Sequence, residues 1–478
     1  MDRRDFLRSG ILLTGAMCLD VKALAKAVTS MGTPRLRVGI LSDIHIRLER
    51  DLPVLERTFK YFREREVDAV LIAGDMADTG LERQMRMVAE TWFGVFPKDK
   101  LPNGKHVERL FIYGNHDIEG HNYGTLTEAL QGDDKESVLA RETIAKQREQ
   151  LWKKYYREKF QPIYIKEVKG YKFIGAHWTN WQNTPGLQDF LASHSAELQG
   201  SKPFFYFQHP HPKNTCCGPW AWGQDNGEVT EALGHFPNCI AFSGHSHQIL
   251  NDERTIWQGA FTSVGTASLS YTYSLGGREN TYIDSGPEYP TQMPSVNQSE
   301  GKQGMVMTVY DDGITLERWD FMYNRPLADN WLIPLPTTGG EKPLSFDYRA
   351  QRAQVPQFAH GDQVTISKAE GKDRKGRKQW QTTVHFPNVL KKRTGVRAFD
   401  FEVTVEEMIA DVNRVFCQKH VMSPHFFLCE EKDEGEVICV FGEGETPKMF
   451  PYRFTIRPCE CFGKKGDPIY TDWMTDKK

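Results

Sequence analysis

Residues 239–248 read CIAFSGHSHQ: an apolar run of strand length, then a glycine, then two histidines separated by one serine. Taken alone the triplet is ambiguous, because a solvated His-Ser-His loop can arise by chance in a chain with 15 histidines. Its meaning depends on whether other runs end in the same way. Strand-length apolar runs also occur at Leu36–Leu41, Asp68–Ala73, Arg109–Tyr113, Tyr171–Ala176 and Phe204–Phe207. Counting Cys239–Phe242, five of these six runs stop at side chains that bind metals: Asp43-Ile44-His45, Gly74-Asp75, Gly114-Asn115-His116-Asp117, His209, and Gly244-His245-Ser246-His247.

Helical patterns fill the intervals. Leu55, Phe59 and Phe62 space one helix, Met85, Val88 and Trp92 another, and Ile144, Leu151, Trp152 and Tyr155 a longer third. Strands alternating with helices predict a layered α/β domain, in which ligands gather beyond the carboxyl ends of the strands. In extended backbone, residues two apart project to one side, so Asp43 with His45 and His245 with His247 are each expected to present two ligands to one cavity. Glycines 74, 114 and 244 let the chain leave a strand sharply and pass close to the site. Imidazole, carboxylate and amide suit manganese, iron or zinc rather than a thiolate-seeking metal. The candidates number about seven, too many for one tetrahedral ion and suited to two ions sharing a carboxylate.

The ordered set Asp-x-His, Gly-Asp, Gly-Asn-His-Asp, lone His and Gly-His-x-His resembles the calcineurin-like metallophosphoesterases over roughly residues 35–335. The resemblance implies an α-β-β-α sandwich and a first metal held by Asp43, His45, Asp75 and His247. It implies a second metal held by Asp75, Asn115, His209 and His245, with Asp75 bridging. A water or hydroxide between the ions would attack phosphorus in line. His116 would hydrogen-bond to the phosphoryl or leaving oxygen, and Asp117 would hold it protonated and oriented. His211 is the competitor of His209 as ligand, or faces substrate. Purple acid phosphatases carry a metal-binding tyrosine where this chain has Asp78. Protein serine/threonine phosphatases have Asp-Arg-Gly where it has Asp78-Thr79-Gly80, and Asn-His-Glu for its Asn-His-Asp. Both subgroups recede, leaving the broader phosphodiesterases and phosphomonoesterases. The alternative is an exported binding protein whose phosphoesterase domain is inactive, against which the complete ligand set with His116 argues.

Trp178, Trp181, Trp220 and Trp222 fall in loops near these clusters, where they stack a base or sugar or else pack the loops down. His121, His177 and His194 read as ordinary histidines, His177 being the readiest exception because it ends a strand. Residues 276–304, rich in Gly, Ser, Pro and Asn, border the cleft or move. The stretch GMVMTVYDDGITLERW should be a hairpin turning at Asp312-Gly313. A linker over 336–345 leads to short alternating strands at Gln363–Ser367, Trp380–Phe386, Phe399–Val405, Val437–Phe441 and Tyr452–Pro458. With a helix near Val405–Val415, these predict an all-β sandwich of immunoglobulin or fibronectin type over 346–478. It carries no catalytic cluster, His420 and His425 being isolated, and its partner is open.

The 478 residues, 39% hydrophobic and 26% charged, suffice for two or three domains. With 60 basic and 63 acidic residues the net charge is −3, and no field draws the chain to a nucleic-acid polymer or an anionic membrane. Residues 1–30 resemble a twin-arginine export signal: Arg3 and Arg4 precede an apolar stretch from Ile11 to Leu19 that is too short to span a bilayer. Cleavage after Ala25 or lipidation of Cys18 would leave a protein in the periplasm or cell envelope, touching membrane only through an N-terminal anchor. Of the nine cysteines, eight lie beyond this leader, without a C-x-x-C pair, so most should be small buried residues, with one or two bridges possible.

Overall fold

The computed structural model describes residues 32–119, 147–178, 185–219, 221–273, 301–337, 342–373, 375–390, 396–423 and 435–475, with residue 340 and the backbone of 291–292. The expected leader with Cys18, and Ile144, His121, Trp181, Trp220 and His425, lie outside them.

Runs such as AVLIA and CIAFS are apolar at successive positions rather than alternating, as strands buried on both faces must be. They form two sheets. In the first, β1 (Leu36–Leu41), β2 (Ala69–Ala73) and β3 (Glu108–Ile112) run parallel. On the other side of β1 lie β11 (Gln303–Val309) and β12 (Gly313–Asp320), antiparallel, with β13 (Arg325–Pro326) and β14 (Trp331–Pro334) both on β12. The second sheet has the order β4 (Ile163–Val168), β5 (Tyr171–Ala176), β6 (Phe204–Gln208), β7 (Cys239–Ser243), β9 (Thr262–Gly265), β8 (Ile256–Gln258). Its strands β5, β6, β7 and β9 are parallel.

Val38, Ile40 and Leu71 of the first sheet meet Phe205, Phe207 and Phe242 of the second in one buried core. Helices Leu52–Glu64 and Glu82–Val95 cover the outer face of the first sheet through Phe59, Phe62 and Trp92. Helices Leu187–Ser193 and Glu228–Leu233 cover the second through Leu191 and Leu233. The result is the expected α-β-β-α sandwich, and the parallel strands of both sheets deliver their carboxyl ends to one rim.

The C-terminal part is all β apart from the helix Phe346–Arg352, which Ser345 caps by accepting from the Tyr348 N–H. One sheet contains β15 (Thr365–Lys372), β16 (Lys378–Pro387) and β19 (Glu436–Phe441). The other contains β10 (Thr291–Gln292), β18 (Val412–Met422), β17 (Asp400–Ile409), β20 (Tyr452–Cys459) and β21 (Ile469–Tyr470). Val384, Phe386 and Phe441 meet Phe401, Val403 and Phe454 between them, as in a sandwich.

Three expectations fail here. The helix expected near Val405–Val415 is the hairpin β17–β18, because Ala410 and Asp411, with φ of 50° and 62°, make a two-residue turn between antiparallel strands. From the segment 276–304, Thr291–Gln292 joins the C-terminal sheet beside β18, and the hairpin at 310–312 turns one residue sooner, Gly313 already opening β12. The seven described cysteines are free thiols, six of them buried as expected, and burial pushes that of Cys216 up to about 12. Among the described residues no helix is long and apolar enough to cross a membrane.

Candidate metal centre

The rim holds three groups of side chains whose ligand atoms lie within 4.8 Å of one another: His45 with Asp78 and His116, and two made of expected ligands alone, Asp43 with His45 and His247, and Asp75 with His209 and His245. All six residues of the latter two groups are buried. The groups adjoin: Asp75 Oδ2 lies 3.0 Å from His209 Nε2 and 3.7 Å from His45 Nε2. Asp43 Oδ1 lies 3.1 Å from His247 Nε2 and 3.9 Å from His209 Nε2. Asn115 is buried at the start of the short helix Asn115–Glu119, and the next N–H, of His116, donates to Asp75 Oδ1 at 2.8 Å.

The backbone that achieves this is not the extended one expected. Asp43, His45, Asp75, His245 and His247 all have φ between 48° and 68°, so each stands past its strand end in the left-handed region. Asp, Asn and His enter that region more readily than bulkier residues, yet each instance costs about 1 kcal/mol or more. Hydrogen bonds hold the turns: the N–H groups of Ile44 and His45 both donate to Asp75 O, and the His245 N–H donates to the Asp43 carboxylate at 3.1 Å. Close approach explains the glycines. A β-carbon at 74, 114 or 244 would collide with His209 Nδ1, Asp75 Oδ1 or Asp43 Oδ2 respectively.

Tautomers follow from the outer partners. His209 Nδ1 donates to Ala73 O and His247 Nδ1 to Tyr271 O, each at 2.8 Å. His45 Nδ1 faces Asp78 Oδ1 at 3.4 Å. With those nitrogens protonated, the Nε2 lone pairs of three imidazoles turn inward on two buried carboxylates, and those of His45 and His247 stand only 3.2 Å apart. Convergent acceptors without a cation repel, whereas a divalent cation fits such a donor set. Protons stand in when no cation is present: burial opposes it, but Asp75 and Asp43 push His209 up to about 9. Burial would likewise raise the Asp75 carboxyl, and the imidazoles of His209, His116 and His45 outweigh it, holding Asp75 below its ordinary value.

His116 is half-buried beside this centre, its ring 4.5 Å from that of His45, and its Nδ1 donates to Asp78 O at 2.7 Å. Asp117 is not placed as its orienting partner. Its carboxylate accepts the N–H groups of Met76, Ala77 and Gly114, tying the two strand ends together. Burial and the charge of Asp75 push it up to about 7. His211 does not face substrate either, since its ring lies between the hydroxyls of Ser243 and Ser246. His177 is the exception anticipated: its Nδ1 accepts the Tyr113 N–H at 2.9 Å and braces the end of β3. Trp178 is buried against His245 and His209, whereas Trp222 is exposed.

Asp78 is the member that sequence reasoning noted only as a departure. One oxygen faces His45 Nδ1, the other accepts from Arg47 Nε at 2.8 Å, and its carbonyl holds His116. Its signal in the sequence was the spacing of three residues from Asp75.

A family model described as calcineurin-like phosphoesterase matches residues 36–249. No curated protein matches the chain. Similar solved structures include a dimetal phosphatase from Danio rerio, 10% identical, covering 63% of this chain and 99% of that one with a TM-score of 0.36. GAP50, the anchor in the inner membrane complex of Plasmodium, is 12% identical over 63% of this chain and 89% of its own, with a TM-score of 0.38. Vps29 from Entamoeba histolytica, as a single mutant, is 11% identical over 63% and 99%, with a TM-score of 0.26. Likenesses this distant carry no statement about chemistry.

Proposed function

We propose that this chain, which carries a calcineurin-like phosphoesterase domain, hydrolyses a phosphoester with the help of two metal ions. One observation carries the reading: Asp75 Oδ2 stands between the inward Nε2 atoms of His209 and His45, where a carboxylate shared by two cations belongs. Asp43, His45, Asp75 and His247 would hold the first ion, and Asp75, Asn115, His209 and His245 the second. Bound manganese, iron or zinc would supply charge neutralisation at a phosphoryl group and a lowered pKa for water. The remaining work belongs to the protein. His116, held through Nδ1 on the Asp78 carbonyl beside His45, is the residue assigned to carry a proton to the leaving oxygen. Asp78 orients His45 and, through its carbonyl, His116. Asp117 acts on position alone, by fixing the loops after β2 and β3.

Export through the twin-arginine-like leader belongs to the same proposal, as does the division into a phosphoesterase domain over 35–335 and an accessory β domain from 346. The test is a panel of phosphodiesters and monoesters offered to the leaderless, manganese-reconstituted protein. Turnover of at least one class is expected, with a fall of about 10²- to 10⁴-fold for His116→Ala at undiminished metal content. Fully metal-loaded protein that cleaved nothing in the panel would refute hydrolysis and favour the binding-protein alternative.

A further inference from the structure

Within residues 32–373, Trp222 and Tyr271 are the exposed large hydrophobic side chains among those described, at 40% and 43%; the others, from Trp380 to Tyr470, belong to the C-terminal part. Both border the metal centre. The Trp222 ring stands against that of His245 with centroids 5.3 Å apart, and the Tyr271 ring lies 4.2 Å from that of His247 and 6.0 Å from that of His45. One ring therefore flanks each histidine of the 245/247 pair.

Neither ring is exposed by a loose loop. The carbonyl of Gly223 accepts the His211 N–H at 2.9 Å, and the Asp225 N–H returns to His211 O at 2.8 Å. Gly223, at φ 79°, presses so closely that a β-carbon would stand 3.0 Å from His245 Cδ2. Tyr271 is held by its N–H on Ser268 Oγ at 3.1 Å and by its carbonyl on His247 Nδ1. Two aromatic faces are thus kept in water at fixed places, where a flat ligand group would cover them. The two sides differ chemically. His116 packs on His45, which Tyr271 also faces, so the proton for a leaving oxygen is on the Tyr271 side. Trp222 lies on the side of His245.

We propose that Trp222 and Tyr271 are the two walls of the substrate site, and that the preferred substrate is a phosphodiester with a flat apolar group on each ester oxygen. This rests on the phosphoesterase reading above. The leaving group lies against Tyr271 and the retained group against Trp222. Water supplies the new oxygen on phosphorus, the bond from phosphorus to the leaving oxygen breaks, and a proton reaches that oxygen through His116. The products are an alcohol and a monoester still carrying the Trp222-side group.

The test compares bis(4-nitrophenyl) phosphate with methyl 4-nitrophenyl phosphate on the manganese-loaded protein, because the leaving group is identical and only the retained group changes. The aryl diester should be favoured in kcat/KM beyond the ratio of their uncatalysed rates by about 2- to 10-fold, the effect of one aromatic pair, expressed mainly in KM. Trp222→Ala should erase that preference and Trp222→Phe should restore most of it. A wild-type preference no greater than the uncatalysed ratio, or one that survives Trp222→Ala, overturns the proposal. Calorimetric binding of diphenyl against dimethyl phosphate reads the same wall without turnover. A loaded protein that cleaves a phosphomonoester but neither diester overturns this proposal and leaves the phosphoesterase reading intact; one that cleaves nothing in the panel defeats that reading, and the two walls then stand if diphenyl phosphate binds tighter in wild type but not in Trp222→Ala, and fall if it does not.

Discussion

Among the described residues, imidazoles are buried beside carboxylates both at the rim and in the C-terminal sheet, and of these two places one looks inward on itself. In the C-terminal sheet, His420 of β18 lies 3.2 Å from Asp400 and 4.0 Å from Glu402, all three buried. These residues sit in regular paired strands, and Glu402 also receives Gln418 Nε2 at 2.9 Å and the Lys465 ammonium. The negative charge there is met by the protein's own cation and amide. At the rim of the first part, Asp43 and Asp75 face imidazoles whose other nitrogens are already committed to Ala73, Tyr271 and Asp78. Burial of a histidine and a carboxylate together is thus a poor sign of a metal site. Convergence of lone pairs on strained backbone is a better one.

Breaking the contrast needs paired substitutions. Asp75→Asn should strip metal and lower kcat/KM by about 10³-fold or more, since it removes the carboxylate shared by both groups of ligands. Asp400→Asn, chemically the same change, should leave metal content and turnover as they were. Elemental analysis alongside hydrolysis checks both, and loss of metal from Asp400→Asn would erase the distinction drawn here. A smaller effect is expected one layer out. Asp78→Asn keeps the carbonyl that holds His116 but weakens the hold on His45, so metal affinity should fall about 10- to 100-fold. Titration with a competing chelator reads that shift, and an unchanged affinity would reduce Asp78 to a partner of Arg47.

The brace behind the site makes a pH prediction. Burial among the rings of Tyr113, Trp152, Phe160 and Tyr164 pushes His177 down to about 3, so the folded protein keeps it neutral. Between pH 6.5 and that value the unfolded chain takes up a proton that the folded chain refuses. Stability from this group is therefore whole above about pH 7 and declines as pH falls, by roughly 2 kcal/mol between pH 6.5 and 5. His177→Gln removes the titration while offering an oxygen to the Tyr113 N–H. The stability difference between variant and wild type, from denaturant midpoints at pH 8, 6 and 5, should be flat at the alkaline end and shift in the variant's favour on acidification. A difference independent of pH would show that His177 titrates normally.

Much of this architecture is legible without coordinates, for a physical reason. Strands buried on both faces must be apolar at successive positions, so β1, β5, β6 and β7 stand out almost to the residue, and the ligand clusters follow because the rim lies where those runs stop. Other strands leave no such mark: the edge strand β4, reading IYIKEV, is only partly buried, and β9, reading TSVG between β7 and β8, is too short and polar to register. The direction of the Asp117 carboxylate is not legible, because adjacency in sequence says nothing about which way a side chain turns once a helix begins at Asn115. The left-handed conformation of the ligand residues is invisible for the same reason; only its neighbours, the glycines at 74, 114 and 244, betray how tightly the chain is folded there.

That conformation offers the finest test of the contrast, because the C-terminal part uses it too. Ala410 and Asp411 turn the β17–β18 hairpin with φ of 50° and 62°, values close to those of His45 and His247, but they bind nothing and sit exposed at the tip. Their strain follows from the sequence: a two-residue hairpin of this kind favours Asn-Gly, and this chain supplies Ala-Asp. The variant Ala410→Asn with Asp411→Gly should therefore stabilise the fold by about 0.5–1 kcal/mol without touching turnover, as a shift of the thermal midpoint measured beside an activity assay would reveal. At His247 glycine would relax the same torsion and delete a ligand, so there the gain in backbone freedom cannot be separated from loss of the centre. If the hairpin variant instead loses stability, left-handed residues in this protein are held by something other than local geometry, and the strain assigned to the metal site must be reconsidered with them.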